Sequence, residues 1–350
     1  LLHSPLDLGW RAARVRSARA EHERTRLELA QQLIELCSAV RRACVRARSA
    51  ERMLALERDA CAAARAAAEL MHGLRSAGNV NAPALAQLEL ERARAERALA
   101  WAESLRVQER AALQALLGTG VPSEGWTLAP EVEPLARALP EPEQLRERAL
   151  SASLTLEQER CEARAAAAAL DLELAQARFG PGEFGLALQR RAEDGEWGFG
   201  PSLSLALPVS DTGGPARARA EARLAASLAR GAALELELAA SALQLGERAR
   251  ACAEQVRLVR EHELVAAQSL VRARVRDYNA MQTGAFELLH ARAQELETER
   301  ALLGALAQAR LARIDLDELL AGGAPPAHVS SARSEVRAAS AGMRHTGGTR

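Results

Sequence analysis

The chain has 350 residues, 48% hydrophobic and 26% charged, a balance that excludes a disordered or collagen-like chain. Its 46 basic side chains, every one an arginine, meet 46 acidic ones, so no global field favours nucleic acid or anionic lipid as partner. No window approaches the roughly 18 consecutive apolar residues of a transmembrane helix, because Arg or Glu interrupts every run.

The chain opens Leu-Leu-His-Ser-Pro without Met or the pattern of a signal peptide, and reads as a fragment or a mature piece. From Trp10 to about Ala77 there is no Pro and a single Gly, and apolar residues such as Leu27, Ala30, Ile34, Cys37 and Val40 recur at spacings of three and four. That pattern predicts one helix of about 65 residues, roughly 100 Å long. Gly78, Asn79, Val80, Asn81 and Pro83 break it, with Asn81 as a candidate N-cap and Pro83 in the first turn of a second helix that runs to Leu117 and Gly118. Thr119 to Pro140, rich in Pro, Gly and Glu, predicts a connector. Glu141 to Arg178 predicts one further helix, with acids in its first turn where the dipole favours them.

The period then changes from 3.6 to 2. From Phe199 to Val209 one face carries Phe, Pro, Leu, Leu, Leu and Val and the other Gly, Ser, Ser, Ala and Pro, which predicts an 11-residue strand. Phe184, Leu186 and Leu188 alternate more briefly, and Glu193-Asp194-Gly195 offers hairpin turn chemistry. Two strands alone are not stable in water. Two readings fit: an edge hairpin packed on the helices, or a share of a lipid-facing barrel built from several protomers.

Helix, break and shorter helix then return. Asp211 to Pro215 opens a second long helix reaching Tyr278, which breaks at Asn279 to Gly284 and resumes from Phe286 to about Leu320. Asp7 to Gly78 spans 71 positions and Asp211 to Gly284 spans 73, so the pattern predicts duplication of a whole αα-hairpin rather than a short solenoid repeat. After Gly323 the tail loses periodicity and is expected to be disordered.

Chemistry is sparse. No GxGxxG, Walker A, HExxH, GxSxG or CxxC occurs, so neither an enzyme, a cofactor nor a protein-held metal is expected. Cys37, Cys44, Cys61, Cys161 and Cys252 are odd in number and read as small buried hydrophobes. His72 and His290 fall near the two breaks and fit either a metal contact or an exposed helix histidine. Asp277 adjoins the second break; it fits either a ring of three acids in a threefold assembly, which would select cations, or a solvated acid.

Several of these segments together resemble the TolC family of outer-membrane efflux proteins. Gly200-Pro201-Ser202-Leu203-Ser204-Leu205-Ala206-Leu207-Pro208 with Asp211 resembles the family's strand-to-helix signature, Tyr278 to Leu289 its second helical tip, and Ala77-Gly78-Asn79 its first. The two tips and Trp126 look most like the heavy-metal efflux branch. The resemblance covers about residues 1–323. It implies a mainly α fold with a small β part, in which duplicated long αα-hairpins form an α-barrel and a β-hairpin contributes to a trimeric β-barrel. The implied organisation is 1–8 as the remnant of a first β-hairpin, 9–118 as the first long helical hairpin and 119–140 as connector. Residues 141–181 follow as a helix of the second repeat, 182–209 as the β-hairpin, 210–322 as the second long hairpin and 323–350 as a tail. The sequence departs from the family in lacking the first strand and the helix before it, and in Ser210, Cys44 and Val45 where aromatics are usual.

The function implied is a passive duct of a tripartite efflux pump, exporting metal cations or small toxic compounds from the periplasm. Its partners would be two further copies of itself, a periplasmic adaptor, an inner-membrane pump and outer-membrane lipid, and no nucleic acid. Gate and adaptor contacts are expected at Gly78, Asn79, Val80, Asn81, Asp277, Tyr278, Asn279, Thr283, Gly284, Ala285 and Phe286, and the strand-to-helix junction at Pro208 and Asp211. Gly78 and Gly284 suit the left-handed backbone of a helix stop, and a large apolar Phe286 so near the tip suggests docking. A soluble or periplasmic helical scaffold and a truncated, non-functional channel copy are the alternatives.

Overall fold

Alanine, leucine, arginine and glutamate dominate this chain, and most of its proline lies at the breaks, so the segments between them build long helices. The computed structural model describes residues 11–76, 82–118, 120, 126–129, 139–179, 182–190, 197–205 and 214–325. Helix α1 is Arg11–Ser76 and α2 is Ala82–Leu117. Helices α3, Pro142–Ala152, and α4, Leu154–Phe179, follow, then strands β1, Gly182–Arg190, and β2, Trp197–Leu205. Helix α5 is Gly214–Leu258, a π-helical turn covers Val259–Glu263, α6 is Leu264–Asn279 and α7 is Ala285–Leu320.

The core is a set of heptad seams. On α1 the buried residues Ala43, Ala47, Ala50, Leu54, Glu57, Cys61, Ala68 and Met71 follow steps of four and three. On α7 Ala305, Ala309, Ala312, Leu316 and Leu319 do the same, and on α5 Leu238, Ala242, Leu245, Ala249 and Val256. A mean step of 3.5 residues keeps one stripe facing its partner only if the helices supercoil left-handedly. Small seam residues let the axes come close, as where Ala43 and Ala47 meet Leu113 of α2.

The chain divides into two compact units, one formed by Leu1–Leu33, Arg146–Ser241 and Ala321–Arg350, the other by Ile34–Leu145 and Ala242–Leu320. The first holds the β-hairpin, whose antiparallel register runs from Gly182 opposite Leu205 to Arg190 opposite Trp197. The expected strand over 199–209 therefore starts two residues earlier, at Trp197; its last four positions and the turn at 193–195 lie outside the described residues. The same unit shows that the single helix expected over 141–178 is two. Ser153 interrupts it: its Oγ accepts a hydrogen bond from the Leu156 N–H at 3.2 Å, an N-cap that starts α4 afresh. The Gly322 carbonyl takes the Leu154 N–H at 3.3 Å. Gly322 itself has φ +103°, and a Cβ there would lie 2.5 Å from the Ala152 carbonyl oxygen, so this corner requires glycine.

In the second unit polar staples cross the seams. Glu57, buried at a seam position of α1, accepts two hydrogen bonds from Arg300 of α7, at 2.7 Å and 2.9 Å. Arg42 of α1 reaches Asp315 at 2.8 Å and also pairs with Glu318. Arg110 of α2 stacks over the Trp126 ring at 4.1 Å, donates to the Trp126 carbonyl at 2.6 Å and pairs with Glu51, which pins the described part of the connector. The long second helix, expected to be continuous over 215–279, stays helical throughout but widens into the π turn at Val259–Glu263. Among the described residues Cys61 and Cys161 are buried as expected, whereas Cys37 is exposed.

Candidate functional site

The second tip is built by the end of α6, and its chain reversal has a defined geometry. Ala280 closes the helix with φ −84° and ψ 5°. The Met281 N–H donates to the Tyr278 carbonyl at 3.0 Å and the Gln282 N–H to the Asp277 carbonyl at 2.9 Å. Those two bonds are a Schellman motif, which needs a left-handed residue between them. That residue is Met281, at φ 57°, and not the expected Gly284, for which no positive φ is found among the described residues. The glycine was expected there because it is the usual occupant; the hydrogen bonds place the reversal three residues earlier.

Met281 is 95% exposed and Tyr278 43%, so the strained position carries a long apolar side chain straight into solvent. Asn279 is exposed as well, and Asp277 is half-buried beside Arg274 at 3.9 Å. Arg274 also bridges to Glu287 at 3.1 Å, tying the end of α6 to the start of α7. The Thr283 Oγ is buried without a hydrogen-bond partner among the described residues. Gly284 is exposed, and a Cβ there would meet nothing within 4 Å.

Phe286 has a different surrounding from the one its size suggested. With Leu289 it packs against Met71, Leu85 and Leu88 of the first hairpin, so an internal contact accounts for its bulk. Gly78, Asn79, Val80 and Asn81 of the first tip, and Pro208 and Asp211 of the strand-to-helix junction, lie outside the described residues. Next to the first tip His72 pairs with Glu89 of α2, and His290 lies 3.3 Å from Gln294 on its own helix. No group of three or more His, Cys, Asp or Glu that could hold a metal ion occurs among the described residues.

Sequence reasoning missed Met281, the Glu57–Arg300 pair and the Arg110–Trp126 stack. A glutamate in an otherwise apolar heptad was a signal for the second. Nothing local marked Met281, because methionine is not a turn residue.

Comparison with known proteins agrees with this architecture. Residues 2–119 match the sequence family described as Outer membrane efflux protein. No curated protein matches the chain. Among solved structures, the outer membrane protein VceC of Vibrio cholerae aligns with a TM-score of 0.72 at 18% identity, over 92% of this chain and 78% of its own. The open-state MtrE outer membrane channel of Neisseria gonorrhoeae aligns at 0.68 and 20%, over 92% and 74%. The transmembrane channel CusC aligns at 0.71 and 18%, over 91% and 76%. The three scores lie close together and single out no branch. Residues 2–119 carry the sequence pattern of an outer membrane efflux protein, and the chain shares the fold of the outer-membrane channels VceC, MtrE and CusC over about nine-tenths of its length.

Proposed function

We propose that this protein is the outer-membrane duct of a tripartite efflux pump, and that it works by shape and polarity rather than by catalysis. The observation that carries the reading is the architecture: two long helical hairpins in one chain with a β-hairpin between them, on the fold of VceC, MtrE and CusC. Three copies would pool their β-hairpins in one barrel in outer-membrane lipid, with the repeats 9–118 and 210–322 forming an α-barrel in the periplasm. Pro208 and Asp211 would make the step from strand to helix.

Large apolar side chains left bare on the long helices support a homotrimer. Leu90, Trp101 and Val107 of α2, and Leu243, Leu258 and Val265 along α5 and α6, are each between 41% and 69% exposed, and neighbouring copies would cover them. At the free ends the tips would meet a periplasmic adaptor joined to an inner-membrane pump. The exposed Met281 and Tyr278, flanked by Asn279, Thr283, Gly284, Ala285 and Phe286, would form the contact surface of the second tip, and Gly78 to Asn81 that of the first. A ring of three Asp277 side chains would favour cations, which together with the tip and Trp126 pattern points to metal cations ahead of other small toxic compounds as cargo.

The test is complementation. The natural gene is expressed with its pump partners in a strain lacking its own channel, and export of divalent metal and of a dye are followed separately. Restored export of either supports the duct, and the arm that responds assigns the cargo. An outer-membrane trimer that restores neither overturns it.

A further inference from the structure

The second long helix contains a defect its partners lack. Buried seam residues on α5 run Leu238, Ala242, Leu245, Ala249, Val256 and Val259, each step compatible with three or four residues. The next positions turned inward are Leu264, Ala267, Val271 and Arg274, so the step from Val259 to Leu264 is five. The Leu264 N–H donates to the Val259 carbonyl, the i to i+5 bond of a π turn, which absorbs one inserted residue while the flanking stretches keep their faces. Beyond it the seam loosens: α6 has no buried residue within the chain, and a solvent-accessible pair, Arg274 with Glu287 at 3.1 Å, ties its far end to α7.

Its partner is held differently. Towards the tip α7 is fastened to the first hairpin by the paired Arg300–Glu57 hydrogen bonds and by Phe286 and Leu289 against Met71, Leu85 and Leu88, and it buries Ala291, Glu295 and Leu296 there. Val256, just before the π turn, packs on Ala305, Leu306 and Ala309, which puts Gly304 of α7 near the level of the π turn, with open space where a Cβ would stand. At its far end α6 stops on Met281, whose left-handed backbone is strained for a residue with a side chain.

We propose that α6 is a moving rod between two built-in joints, the π turn at its base and the Met281 cap at its tip, while α7 is a fixed rail anchored to the first hairpin. Any opening at the second tip would then displace α6 against α7 rather than swing both helices together. That consequence rests on the duct reading; the rod and its joints do not.

Amide hydrogen exchange on the full chain in detergent tests the rod directly. Residues 264–279 should exchange at least tenfold faster than 285–303. Deleting Arg260, an exposed residue of the π turn, makes the step from Val259 to the next seam residue four, and should slow exchange in 264–279 about tenfold while leaving 285–303 unchanged. Equal protection of the two helices in the natural protein overturns the proposal, and needs no variant to be seen. So does a deletion that shifts both helices together or neither. Loss of export in the absence of any pump partner cannot imitate these outcomes, since exchange is read on the chain alone.

Discussion

Met281 and Gly322 show the same backbone problem solved in opposite ways. Both sit in left-handed conformation just past a helix end. At Gly322 a side chain is excluded by the Ala152 carbonyl, and Gly322→Ala should destabilise the protein by roughly 2 kcal/mol through strain and clash together. At Met281 solvent leaves room, and only the intrinsic cost of a left-handed residue remains, so Met281→Gly should raise stability by about 1 kcal/mol. Urea titration of both variants checks the pair of signs. A destabilised Met281→Gly would contradict the cap described here.

Glu57 belongs to the same scale, because one residue fixes how two helices align. Removing Arg300 alone leaves a carboxylate buried without its partner and should cost about 3 kcal/mol or more, whereas replacing Glu57 and Arg300 together by leucine should cost far less. A double-mutant cycle measures the difference. If the two single changes simply add, the buried pair is not the register device inferred from its seam position.

At the scale of elements, helices were readable and their ends were not. The long helices follow from 3.5-residue periodicity with every Pro outside or in a first turn and only Gly231, Gly246 and Gly304 in their interiors, and the alternation of 199–209 announced a strand. The break at Ser153 was hidden because a serine in an otherwise helical run is a weak signal until the Gly322 carbonyl, 169 positions away in sequence, supplies the second cap partner. Ser153→Ala should therefore cost about 1 kcal/mol, measured as a fall in melting temperature that is absent for the exposed Ser151→Ala. The π turn was hidden for a related reason: an inserted residue shows only when the seam it offsets is known. The packing of Phe286 was not legible because its partners Met71, Leu85 and Leu88 come from the other hairpin. Phe286→Ala should lose about 2–3 kcal/mol of packing, and Phe286→Asp more.

For the whole molecule, composition set the first limits: an aromatic content of 3% suits narrow alanine and leucine seams and not a broad globular core. The duplicated hairpin pattern puts two breaks at corresponding positions of the sequence, and the strand and tip motifs carry the resemblance to an outer-membrane efflux protein by themselves. What periodicity alone did not reveal is which apolar side chains stay bare: Trp101 is 69% exposed, and under the proposed trimer a neighbouring copy would cover it. Trp101→Glu should leave the secondary structure of the chain unchanged and weaken its assembly, read as a shift from trimer to monomer in light scattering.

If three copies make one outer-membrane duct, the mass of the natural gene product recovered from fractionated cells will show it. The protein should sediment with outer membrane, require detergent for extraction, and show by native mass spectrometry a protein mass three times that of one chain. Recovery as a monomer from the soluble periplasmic fraction, without detergent, would contradict a trimeric outer-membrane duct.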